Sequence, residues 1–182
     1  MLIINMMEIQ EEVEITSNNQ IVDLGEKYQF NTGWTVWYHH ALNDWSVNGY
    51  RKIFNVNNIK NFWDFHNNIN CIGGINNLHF FLMRKDITPI YEDTKNRNGG
   101  VWSMLVPVFK AQEVWEEIAA AMCGEYLVKD MSMITGLSIN LKNNVSVIKI
   151  WNNDRIKNDA SILPEFLKQY GNIIYRKHQL DF

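Results

Sequence analysis

Residues 137–142 and 145–151 form two alternating apolar runs separated by only Asn143-Asn144, a pair that tolerates the positive φ values of a tight hairpin turn. Runs joined this closely pair as antiparallel neighbours, so the chain must contain antiparallel sheet. Further strand-like segments lie at 34–40, 78–84, 101–108 and 173–177. Three helical patterns interrupt them. In the first, Asn57 or Asn58 can cap a segment whose Ile59, Phe62, Trp63, His66 and Ile69 recur at spacings of three and four, before Gly73-Gly74 breaks the chain. The second carries Trp115, Ile118, Ala119 and Met122 on one stripe, with Glu113, Glu116 and Glu117 largely off it and Gly124 at its end. The third spans 156–170, where Pro164 requires a first-turn position or a kink. This alternation has no regular βαβ rhythm. It predicts an α+β domain with helices on one face of a largely antiparallel sheet.

A chain of 182 residues with 46% hydrophobic and 20% charged side chains suits one domain with a full core. Residues 1–27, with their acidic and polar runs, read as a mobile N-terminal arm, leaving 28–182 as the domain. The formal net charge of −3 argues against a long phosphate backbone held by neutralisation, and leaves a short local nucleic-acid contact open. Cys71 and Cys123 form no CxxC pair, so neither a zinc knuckle nor a disulfide framework is expected. No run reaches the length of a membrane span, and a cytosolic or nuclear protein is expected, with no cofactor and no membrane partner.

Seven tryptophans, at 34, 37, 45, 63, 102, 115 and 151, are many for such a chain. Taken singly, each is best read as core filling. Their order adds more. The segment 87–102 runs Ile-Thr-Pro-Ile-Tyr-Glu-Asp-Thr-Lys-Asn-Arg-Asn-Gly-Gly-Val-Trp, which resembles the I-x-P-x-W-E-D-x-x-N-x-x-G-G-x-W signature of the translation initiation factor 4E family, with Tyr91 at the first Trp. Trp34-Thr35-Val36-Trp37-Tyr38, Phe62-Trp63, Trp115 with Gly124-Glu125, and Lys149-Ile150-Trp151 match in the same order, so the resemblance runs from Tyr28 to His178.

The resemblance implies a curved, largely antiparallel sheet of about eight strands, three helices on its convex face, and an mRNA cap slot on the concave side. It implies no catalysis. Methylation at N7 gives guanine a delocalised positive charge, so aromatic rings above and below it add cation–π attraction to stacking. Carried over from the family, those rings are Trp45, with Tyr50 as the fallback, and Tyr91. Glu92 matches the residue whose two oxygens accept from guanine N1–H and the exocyclic amine. The backbone N–H of Tyr91 would reach the guanine carbonyl, Trp151 matches a residue that touches the methyl group, and Asp93 reads as a loop carboxylate.

Departures from the pattern concern the phosphates and the scaffold. Lys142 stands at the family's Arg, while two positions that supply Lys hold Asn144 and Val147. Lys149 shares the facing of Val147 by two-residue alternation and could substitute. Arg176, Lys177 and His178 are further candidates, each with solvated surface charge as the plainer fate. A scaffold of the initiation factor 4G type, or a competitor of it, would dock on an exposed Trp63 with Ile59, Tyr28 and Glu117 around it. The family's His-Pro is here Tyr28-Gln29.

Three functions follow for comparison. The first is cap binding that recruits a scaffold and supports translation initiation. The second is a cap-binding repressor or message selector that recruits none. The third is a decapping or other nucleotide-processing enzyme, which lacks a GxxxxGKS/T loop, a helical Glu cluster for Mg²⁺ and paired Cys and His for zinc. His39-His40 and His66 read as surface or core packing.

Overall fold

The computed structural model describes residues 28–41, 43–75, 79–142 and 144–179. Within them lie the strands β1 (Gln29–His39), β2 (Tyr50–Asn58), β3 (His79–Arg84), β4 (Gly100–Pro107), β5 (Ile134–Lys142), β6 (Val145–Asn152) and β7 (Ile174–Lys177). They form one open, curved sheet in the order β2-β1-β3-β5-β6-β4-β7, antiparallel at every step. The described residues thus hold seven strands where the sequence reading expects about eight. The segment 1–27 and Asn143 lie outside the described residues; Asn144 takes the expected positive φ, 62°.

Two-residue alternation divides the strands between two apolar clusters. Phe80 and Leu82 of β3 join Trp34, Val36, Trp102, Met104, Leu137, Ile139, Ile148 and Ile150 in the main core. Phe81 and Met83 face the other way, with Trp37, Val101 and Trp151. Full burial of each such side chain stabilises the fold by about 1.5–3 kcal/mol. The main core lies under the helices, and the smaller cluster floors the opposite face.

Helix α1 (Ile59–Asn68) starts where the side chain of Asn58 accepts from the N–H of Asn61 at 2.7 Å. After a 3-10 turn, Gly73 at φ 102° ends it, a backbone conformation that favours glycine. Helix α2 (Ala111–Cys123) buries Val114, Trp115, Ile118, Ala119 and Met122 against the sheet. The glutamates stay off that stripe, as the spacing predicts.

The third helical segment is present as two short 3-10 stretches, Ala160–Ile162 and Glu165–Tyr170, rather than a continuous α-helix. Pro164 between them is extended, at φ −57° and ψ 147°, and has no N–H to continue a helical ladder. Strand β2, which the sequence pattern does not reveal, forms the sheet edge, where Arg51, Lys52, Asn55 and Asn57 remain exposed and mask its alternation.

Candidate functional site

On the face away from the helices, a cavity of about 430 Å³ is lined by residues from four strands, two loops and the segment after β7. Its walls include Trp45, Tyr50, Tyr91, Glu92, Lys149 and Trp151. The structure therefore brings together five of the six sequence candidates, and the fallback Tyr50 as well. Lys142 is the exception. It is exposed near the hairpin turn and does not line the cavity, although its charge is felt at Lys149.

The 85–99 loop is folded by its own polar side chains. Asp93 accepts from the N–H and hydroxyl of Thr88, at 2.8 and 2.5 Å, and from the N–H of Lys95 at 2.9 Å. Buried Asn96 donates to the carbonyls of Thr88 and Ile90, both at 2.9 Å. Asp93 is thus the loop carboxylate the sequence predicts. These bonds hold Tyr91 and Glu92 at the rim, where Glu92 is exposed and makes no hydrogen bond among the described residues. Its charge acts on Tyr91 and Tyr50, whose phenols are raised first by burial and then by nearby negative charge.

The tryptophans divide sharply. Trp34, Trp37, Trp102, Trp115 and Trp151 are buried, Trp63 is half-buried, and Trp45 is 57% exposed at the cavity mouth. Trp45 lies against His39, with ring centroids 4.2 Å apart and planes 11° from parallel. Tyr91 lies against His178 at 4.4 Å and 25°. His178 is buried, a correction to its expected place among solvated surface charges. Burial, then the charge of Lys149, depress its pKa to about 4, so it is neutral near pH 7.

Lys149 is the cavity's own cation. Burial depresses its pKa, and the neighbouring charges of Arg176 and Lys142 depress it further. Arg176 pairs in register with Val101, a member of the cavity-side cluster, so it belongs to the same face of the sheet. His79, Phe81, Ser138, Asn140 and Gln179 also line the cavity and escape the sequence reading. The available signal was facing: Ser138 and Asn140 alternate with the core residues Leu137 and Ile139.

On the helix side, Trp63 and Glu117 share a second hollow with Phe109, which is 84% exposed. Ile59 and Tyr28 meet through a backbone bond, Ile59 N–H to Tyr28 O at 3.2 Å. Trp63 is half-buried rather than the exposed aromatic expected, because it also packs on the core. His66 is a core residue, accepting from Trp115 Nε1 at 3.2 Å while its Nδ1 meets the Phe62 carbonyl at 2.7 Å.

The family model described as eukaryotic initiation factor 4E matches residues 29–181. The chain belongs to the initiation factor 4E family. Its relatives in that family are named as initiation factors, not enzymes. Translation initiation factor 4E-1 of Caenorhabditis elegans is 34% identical over 136 residues, a match covering 70% of this chain and 63% of that protein. Factor 4E-5 of the same organism is 31% identical over 74% of this chain and 70% of its own length. The match to the first of these therefore spans less than two thirds of the relative. Among solved structures, that of Ascaris suum eIF4E-3 with m2,2,7G cap is similar at a TM-score of 0.71, with 23% identity over 85% of this chain and 93% of that one. The initiation factor 4E fold accounts for the sheet order and for the helices on a single face. Among the described residues, no helix is long and apolar enough to cross a membrane.

Proposed function

We propose that this protein binds the 7-methylguanosine cap at the 5′ end of mRNA, without catalysis, and supports translation initiation in the cytoplasm through a scaffold protein. Residues 28–182 act as the cap-binding domain. The observation that carries the reading is the convergence of Trp45, Tyr91 and the carboxylate of Glu92, which accepts no hydrogen bond among the described residues, on one cavity of about 430 Å³, a volume typical of small-ligand sites. The methylated base stacks between Trp45 and Tyr91, where cation–π attraction adds about 2 kcal/mol or more once water is excluded. Glu92 accepts from the two donors on the guanine edge, Trp151 meets the methyl group, and Lys149 takes the first phosphates, with Lys142 reaching the outer ones.

Support also comes from relatives. Ascaris suum eIF4E-3 is known in complex with m7G cap as well as m2,2,7G cap, and Caenorhabditis elegans eIF4E-3 with the 4E-binding protein Mextli. By analogy, a helical segment of a scaffold docks at the hollow of Trp63 and Glu117, beside Ile59 and Tyr28.

The test is quenching of tryptophan fluorescence by 7-methyl-GTP and by GTP in the parent and in Glu92→Ala. Preference for the methylated nucleotide in the parent, lost in the variant, supports the reading. Equal affinity for the two nucleotides in the parent refutes it. Retention of a scaffold-derived helical peptide by the parent but not by Trp63→Ala would support the partner assignment, and no binding by the parent would remove it.

A further inference from the structure

Two histidines have no role in the cap reading, yet each lies flat against one of its aromatic rings. His39 stacks on Trp45 and His178 on Tyr91, at the distances given above. Trp45 and Tyr91 line the cavity, and neither imidazole does. We infer that His39 and His178 are positioning residues that back the two rings on the faces turned away from the ligand, making a five-layer stack of imidazole, indole, methylated base, phenol and imidazole. The inference rests on the cap-binding reading and adds to it the residues that preorganise the slot.

The bonding around each histidine favours this role. Trp45 sits on the connection between β1 and β2, outside any strand, and an exposed side chain there would lose rotamer freedom on binding. His39 ends β1, and its Nε2–H donates to the carbonyl of Asp44 at 2.8 Å. Asp44 in turn accepts from the N–H of Ser46 at 2.9 Å. One imidazole thus fastens the chain beside Trp45 and covers the indole. The approach is close enough that a side chain at Gly49 would meet the Asp44 carbonyl at 1.8 Å.

His178 follows β7, with its own N–H donating to the Gly99 carbonyl at 3.1 Å. Its ring also lies 5.0 Å from Trp151, and Tyr91 is 5.3 Å from Trp151, so three rings close a triangle. A tyrosine at position 91 covers less area than tryptophan, and the imidazole fills the space behind it. Lys149 is the charged group that faces His178; Tyr50, His79 and Asp44 surround His39. Two rings fixed before binding spare the ligand the entropy of ordering them.

The experiment is calorimetric titration of 7-methyl-GDP into the parent, His39→Ala, His178→Ala and the two matching phenylalanine variants. Each alanine variant should bind about tenfold more weakly; His178→Phe should return to within about twofold of the parent because the flat surface is restored, and His39→Phe, which restores the surface but not the bond to Asp44, should recover part of the loss. If the parent binds and the alanine variants bind equally well, the backing role is wrong while the cap reading stands. Tighter binding by His39→Ala would place that imidazole on the ligand's side of Trp45 and overturn the inference. No binding by the parent would overturn the cap reading itself, and this inference with it. Should His178→Ala fail to fold, His178→Phe decides for that ring: near-parent affinity supports a stacking role, and a large loss removes it.

Discussion

Trp151 donates from its indole Nε1 to the hydroxyl of Ser138, 2.9 Å away on the adjacent strand, and both groups are buried in the cavity wall. Removing the hydroxyl leaves a buried donor without a partner, which costs about 1–3 kcal/mol. Ser138→Ala should therefore lower the urea midpoint by a corresponding amount. Ser138→Thr, which keeps the oxygen, should lower it less.

Asp93 touches no part of the cavity, but its carboxylate organises the loop that does. Asp93→Ala should reduce 7-methyl-GTP affinity about tenfold and stability by about 1.5–3 kcal/mol, since three bonds to a charged acceptor are lost. An affinity equal to the parent's, measured with the fold intact by circular dichroism, would show that Tyr91 and Glu92 hold their places unaided.

Gly99 has its α-carbon against the backbone of Asn152, and a β-carbon there would stand 1.8 Å from the Asn152 carbonyl oxygen. Neither group is a side-chain end that can swing aside. Gly99→Ala should destabilise the protein by about 3 kcal/mol or more, read as a fall in the thermal midpoint.

Burial depresses three histidines: His66 and His178 to about 4, and His79 to about 3. Below the unfolded-state value near 6.5, the unfolded chain takes up protons that the folded chain does not. Stability is therefore full above pH about 6.5 and falls progressively as pH drops towards 4. The unfolding free energy, followed from pH 7.5 to 4.5, should show this slope. His66→Gln, which retains an acceptor for Trp115 and cannot titrate, should show a shallower one.

Much of the frame is legible in the residues because its signals are local. Asn58 caps α1 through a neighbour three residues away, and the 3.6-residue stripe from Trp115 to Met122 needs no knowledge of what covers it. The loop motif is equally local: Asp93, Thr88 and Asn96 bond within eight residues of one another. What escapes depends on distant pairing. His178 is buried only because β7 lies against β4 and carries it to Gly99. Likewise Ser138 and Asn140 are ordinary polar residues until the hairpin's facing turns them to the cavity. Strand β2 hides for another reason, since an edge strand can keep polar residues on both sides without loss.

The β5–β6 hairpin is inserted between β3 and β4, which the 85–99 loop connects. Tyr91 and Glu92 thus belong to a bridge that leaves the ribosome before the two strands beneath it have been made. A nascent chain ending ahead of Ile134 has no Trp151, no Lys149 and no seat for β4 beside its neighbour β6. The cavity consequently arrives late, after a long-range insertion of the kind that slows folding. A protein of this build should be without its cavity for most of its own synthesis.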